Sequence, residues 1–211
     1  MQPDVRSRLL ELVEIGRRFD VRGWVPATSG NFSLRDPDDA GAFWITASGR
    51  HKGRLQAGDF VRVDVISGEV TQRGFDGARP SAETSIHQTV YRHLPDAQVI
   101  LHVHALAGTL LSRRAAPDAS RPARVPLPNV EILKAFDLWE AEPNVGIEVF
   151  ANHPAVPDIA RDLGARLDRG AFEVPGFLIE NHGLTAWAGS LPRAEYAVEA
   201  FEYAFQLALQ V

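Results

Sequence analysis

Apolar residues recur at mixed spacings of three and four along residues 4 to 19, at Val5, Leu9, Leu10, Leu12, Val13, Ile15 and Phe19. That spacing predicts an amphipathic helix. The pattern then changes. "GWVPATSGNFSLRD" is rich in Gly, Ser and Thr before it alternates at Phe32 and Leu34, a loop entering a strand. "AFWITASG" is a short strand running into a turn, and "DFVRVDVISGEV" alternates and turns at Ser67-Gly68, a hairpin. A helix is predicted from about Ala82 to His93, with Ser81 as its cap and Pro95 closing it. "AQVILHVH" is the next strand, and residues 106 to 113 are expected to be helical. "RRAAPDASRPARVPLP" carries four prolines without periodicity and reads as an exposed loop. "VEILKAF" and "VGIEVF" are too short to assign. A helix closed by Gly170, a strand–turn–strand over "GFLIENHGLTAWAG" and a strongly periodic helix opened by Pro192 complete the chain.

No repeat, low-complexity segment or dividing linker interrupts this order. The expectation is one α/β domain over residues 1–211, a mainly antiparallel or mixed sheet with helices on its faces. At 211 residues the chain is long enough to bury a substantial core. A net charge of −5 argues against a nucleic-acid surface, and no apolar run is long enough to span a membrane. The start lacks the apolar stretch of a signal peptide, which makes a cytoplasmic location the expectation. With no cysteine, a transition-metal site must use His, Asp or Glu.

Three stretches carry candidate chemistry: "SAETSIH", "LHVH" and "ENHG". On a strand, His102 and His104 share a face, where two imidazoles can converge on a metal or share a polar pocket. His182 can be a third ligand or a loop histidine bonded to a carbonyl. Three imidazoles would leave one position of a divalent metal open. Glu83 can act as general acid/base beside that metal or merely face a helix dipole. His87, one turn further on, reads as a packed or capping residue. "TSGN", "TASG" and Ser81 offer hydroxyls and backbone N–H groups suited to an anion, or are plain turns.

Taken in order, "SGNFS", "WITASG", "DFVRVD", "PSAETSIH", "ILHVHA" and "ENHGLTAWA" resemble the class II aldolase family over nearly the whole chain. The resemblance implies a three-layer α/β/α sandwich around a mainly antiparallel sheet. It implies one divalent metal per subunit, usually zinc (Zn2+), held by His102, His104 and His182. It implies a substrate phosphate at Ser29, Gly30, Asn31, Ser48, Gly49 and Ser81. Sugar-phosphate aldolases of the family often carry a second serine where this chain has Ala82. "RPSAET", "SGRHKGRL", "VEILKAF" and "IEVFANHPAVPDIARDL" are most similar to a branch that dehydrates a ketose 1-phosphate in methionine salvage. There Glu131 is implied as catalytic acid/base, alongside Glu83. Aldolase or epimerase chemistry is the alternative within the family, and some members of the fold are scaffolds. The implied partners are a small sugar phosphate and further copies of the chain, in a homotetramer. Neither nucleic acid nor a membrane is expected.

Overall fold

The computed structural model describes residues 3–115, 117–118 and 121–210. Among the described residues nine strands form one sheet: β1 (Asn31–Arg35), β2 (Ala42–Thr46), β3 (Phe60–Asp64), β4 (Val70–Arg73), β5 (Val99–Val103), β6 (Ala123–Pro126), β7 (Gly146–Phe150), β8 (Gly176–Ile179) and β9 (Gly183–Ala188). Their spatial order is β4-β3-β2-β1-β5-β9-β8-β7-β6. Every pairing between these strands is antiparallel except β7 with β8.

Two apolar clusters lie on opposite faces of the sheet, because side chains alternate along each strand. Helices α1 (Pro3–Val21), α3 (Leu106–Ser112) and α5 (Leu191–Ala208) cover one face, where Leu9, Phe19, Leu111, Phe201 and Phe205 meet Phe32, Leu101 and Leu184. Helices α2 (Thr84–His93) and α4 (Val156–Leu167) cover the other, where Ile86, Tyr91 and Leu163 meet Ile45, Ile100 and Phe177. The result is the α/β/α sandwich that the motif order implies. Along β5, Val99, Leu101 and Val103 face α1 and α5, while Ile100 faces α2. Alternation therefore turns His102 toward α2, the helix that Glu83 precedes.

Two local expectations change. Helix α2 begins at Thr84, not at Ala82, and its N-cap is Glu83 without a side-chain cap. Ser81 instead closes a turn: its carbonyl accepts from Thr84 N and Oγ1, and its Oγ accepts from Glu83 N at 3.3 Å. The proline-rich segment is not all loop, since Ala123–Pro126 forms edge strand β6 against β7. An edge strand needs only one hydrogen-bonded side, so the missing N–H of Pro126 is tolerated there. "VEILKAF" folds as a 3-10 helix over Glu131–Phe136, and "VGIEVF" contributes β7.

Candidate metal centre and anion pocket

Strand register builds the centre. His102 lies opposite Asn31 of β1 and Thr185 of β9, with Nδ1 3.0 Å from Thr185 Oγ1. His104 follows the strand end, its backbone N–H bonded to Trp24 O at 2.9 Å. His182 occupies the turn from β8 to β9, between Asn181 at φ 52° and Gly183. A Cβ at Gly183 would stand 2.2 Å from Val103 O, so only glycine lets this turn lie against β5. Helix α3 steadies the turn from outside: Thr109 Oγ1 donates to His182 O and Ser112 Oγ accepts from Asn181 N, both at 3.0 Å.

These constraints bring four side chains to one point. His104 Nε2 is 3.0 Å from His102 Nε2, Glu83 Oε2 is 3.2 Å from His102 Nε2, and Glu83 Oε1 is 3.1 Å from His182 Nε2. One ligand atom from each residue lies within 4.8 Å of every other. Burial pushes His102 down to about 3 and His104 to about 4, so both favour the neutral form that binds metal. Burial pushes the Glu83 carboxyl up, but His102 and His182 outweigh it and hold it well below the usual carboxylate range.

The donor set fits a divalent metal. Two imidazole nitrogens bound to one zinc at a tetrahedral angle stand about 3.3 Å apart, close to the 3.0 Å between His102 Nε2 and His104 Nε2. Thr185 fixes the far nitrogen of His102, as an outer partner of a ligand does. Glu83 Oε2 and His182 Nδ1 are buried without a hydrogen-bond partner among the described residues.

Beside the centre is a cavity of about 260 Å³, lined by residues 28–31, 46–49, 52, 81–83 and 104. It gathers Ser29, Gly30, Asn31, Ser48, Gly49 and Ser81, the residues expected to hold an anion. Gly30, at φ 73°, passes so close to β5 that a Cβ would meet His102 O at 2.7 Å. Asn31 is held by a buried chain of hydrogen bonds. His87 Nε2 lies 2.6 Å from Asn31 Oδ1, His87 Nδ1 2.7 Å from Ser33 Oγ, and Ser33 Oγ 2.8 Å from Tyr91 OH. Burial lowers His87 to about 4, so its ring is neutral. With Nε2–H donating to Oδ1, the NH2 of the Asn31 amide is left for the side of Glu83, whose carboxyl Asn31 helps to hold low. His87 is packed, as its position on the helix suggests.

Two residues at the site escaped sequence reasoning. Thr185 was hidden because its role depends on pairing across strands; its signal is its place two residues after Gly183. Lys52 was quoted in "SGRHKGRL" without a role, yet it is buried and lines the cavity. Burial lowers its ammonium to about 8, against the opposing pull of Glu83. Glu131 is not drawn into the four-residue cluster. It heads the 3-10 helix with an exposed side chain, 2.8 Å from Lys134 Nζ. No helix among the described residues is long and apolar enough to cross a membrane.

Residues 10–209 match the model of the family described as class II aldolase and adducin N-terminal domain. A relative from Leptospira biflexa serovar Patoc, named methylthioribulose-1-phosphate dehydratase, is 40% identical over 205 residues, covering 97% of both chains. One of the same name from Microcystis aeruginosa is 42% identical over 197 residues, covering 93% of this chain and 92% of the other. Among solved structures, YgbL from Escherichia coli, titled a putative aldolase/epimerase/decarboxylase, superposes with a TM-score of 0.79 at 25% identity. That superposition covers 97% of this chain and 89% of YgbL.

Proposed function

This chain belongs to the class II aldolase and adducin N-terminal domain family, and on that premise we propose that it dehydrates 5-methylthioribulose 1-phosphate to 2,3-diketo-5-methylthiopentyl 1-phosphate. The observation that carries the reading is the convergence of His102, His104, His182 and Glu83 beside a pocket of hydroxyl and backbone donors, in a chain about 40% identical to dehydratases of that name.

In this proposal the three histidines hold one zinc ion per subunit. Bound there, the metal acts as a Lewis acid on the substrate's carbonyl oxygen and acidifies the neighbouring C–H. The pocket residues Ser29, Gly30, Asn31, Ser48, Gly49 and Ser81 hold the phosphate and set the distance from it to the reacting carbons. Glu83, next to His102 and His182, takes the C3 proton as general base. Asn31 keeps its NH2 on that carboxylate and so orients it. The C4 hydroxyl departs with a proton as water, and the resulting enol takes a proton at C4 to give the diketone. Glu131, carried by the resemblance, is the second acid/base of the proposal. The reaction belongs to methionine salvage, in the cytoplasm, in a homotetramer.

The test is to incubate zinc-loaded protein with 5-methylthioribulose 1-phosphate and weigh the products. Loss of one water without dihydroxyacetone phosphate supports the dehydratase. Dihydroxyacetone phosphate instead identifies an aldolase, the chemistry named for part of the fold's neighbours. Turnover that survives removal of the metal contradicts the role given to the histidines.

A further inference from the structure

The chain contains twenty arginines but only two lysines, Lys52 and Lys134. Lys134 is exposed and bonded to Glu131. Lys52 is only 2% exposed. It sits on the 3-10 helix Lys52–Arg54, which packs on α1 where Gly16 leaves room: a Cβ there would stand 2.6 Å from Lys52 O. Its Nζ donates to Thr28 O at 2.6 Å and to Arg50 O at 2.5 Å. An ammonium has three N–H donors, so one remains, on a side chain that lines the cavity.

No carboxylate among the described residues comes within ion-pair distance of Lys52. Glu83 on the same cavity pulls on this charge without pairing with it, and a buried cation whose direct partners are neutral carbonyls is costly unless an anion completes it. A second group on the same wall is also incomplete: Ser29 Oγ is buried with no hydrogen-bond partner among the described residues. A tetrahedral anion would satisfy both, whereas a neutral ligand would leave the ammonium without a directly paired charge. The compact ammonium suits this place, since it can split its donors between two carbonyls and a ligand oxygen, which a flat guanidinium fork does less well.

We infer that Lys52, with Ser29 beside it, is the charged anchor of the substrate's phosphoryl group and the residue that selects a sugar phosphate over the free sugar. The inference rests on the ketose-phosphate reading above. Lys52 also ties the Thr28 loop to the Arg50 loop, so its test must separate recognition from loop support.

Inorganic phosphate is titrated calorimetrically into the metal-loaded full chain and its K52M variant. The affinity for phosphate is expected to fall about 10- to 100-fold, the range for losing a charge-assisted hydrogen bond. On 5-methylthioribulose 1-phosphate the loss should appear mainly in KM, while kcat/KM for unphosphorylated 5-methylthioribulose changes by less than about threefold. Unchanged phosphate affinity, or an equal loss on both substrates, overturns the assignment in favour of a structural role. Should K52M not fold, wild-type protein with 15N-labelled lysine answers the question. Phosphate should shift the Lys52 ammonium signal saturably and leave Lys134 still; a motionless Lys52 signal overturns it. If Lys52 binds phosphate but the ketose phosphate is not dehydrated, the reaction reading fails and this inference stands. Dehydration with a Lys52 that ignores phosphate is the reverse case.

Discussion

At His102 both ring nitrogens have neighbours on other elements: Thr185 Oγ1 on one side, His104 and Glu83 on the other. At Glu131 the carboxylate meets Lys134, three residues along its own 3-10 helix, and is otherwise open to solvent. The first group is placed by the pairing of β5 with β1 and β9, the second by local sequence alone. Folding itself orders His102, strips it of water and shifts its protonation. Glu131 keeps its solvent and its rotamer freedom, and must lose both if it takes part in the reaction. The contrast predicts that substitutions of the cluster's histidines act through metal and positioning, and those at Glu131 through chemistry only.

The sharpest attack on this contrast is H102A or H104A. Either is expected to lose bound metal, measured by elemental analysis, and to lower kcat/KM by about 10³-fold or more. A variant that keeps its metal and turns over normally would refute the proposed ligand set. Next in size come the two carboxylates compared directly. E83Q should lower kcat by about 10²- to 10⁴-fold with metal retained, and E131Q by about 10²-fold with an unchanged Tm. An E131Q enzyme within about threefold of wild type removes Glu131 from the reaction and leaves Glu83 as sole acid/base. T185V leaves every ligand in place but frees the His102 ring, and should weaken metal affinity about 10- to 100-fold in competition with a chelator. Undiminished affinity would mean that the strand alone orients the ring.

The smallest effect concerns a third carboxylate, Glu202 on α5, buried and bonded to the backbone N–H of Gly108 at 3.1 Å rather than to a cation. Burial raises it to about 7, against the pull of the Gly108 and Ala107 amides. Between the unfolded value near 4.5 and about 7 the folded protein holds the extra proton, so stability falls as pH rises through that window. E202Q should therefore be more stable than wild type at pH 8 by about 1–3 kcal/mol, and no more stable at pH 4, by chemical denaturation at both. Equal stability at pH 8 would show that Glu202 ionises without cost.

Much of this was legible in the chain. The apolar run that starts at Val99 places His102 on a strand, and the 3.6-residue period marks α1 and α5. "ENHG" signals a sharp turn, and Asn181 at φ 52° with Gly183 against Val103 O supplies it. The start of α2 was misread because Ser81 and Thr84 close a turn with the chemistry that would also cap a helix. Strand β6 was missed because it is held by β7, some twenty residues away and without a local signal.

The residue types, the strand that carries two histidines and the ordered motifs of a class II aldolase chain are properties of the sequence, because period and turn chemistry act over a few residues. The tertiary structure alone decided that Thr185 meets His102, that His87 orients Asn31, and that Lys52 is buried with a donor to spare. Those facts follow from register and close packing between segments far apart in the chain. The energy of such contacts depends on what surrounds each group, which no short window of sequence contains.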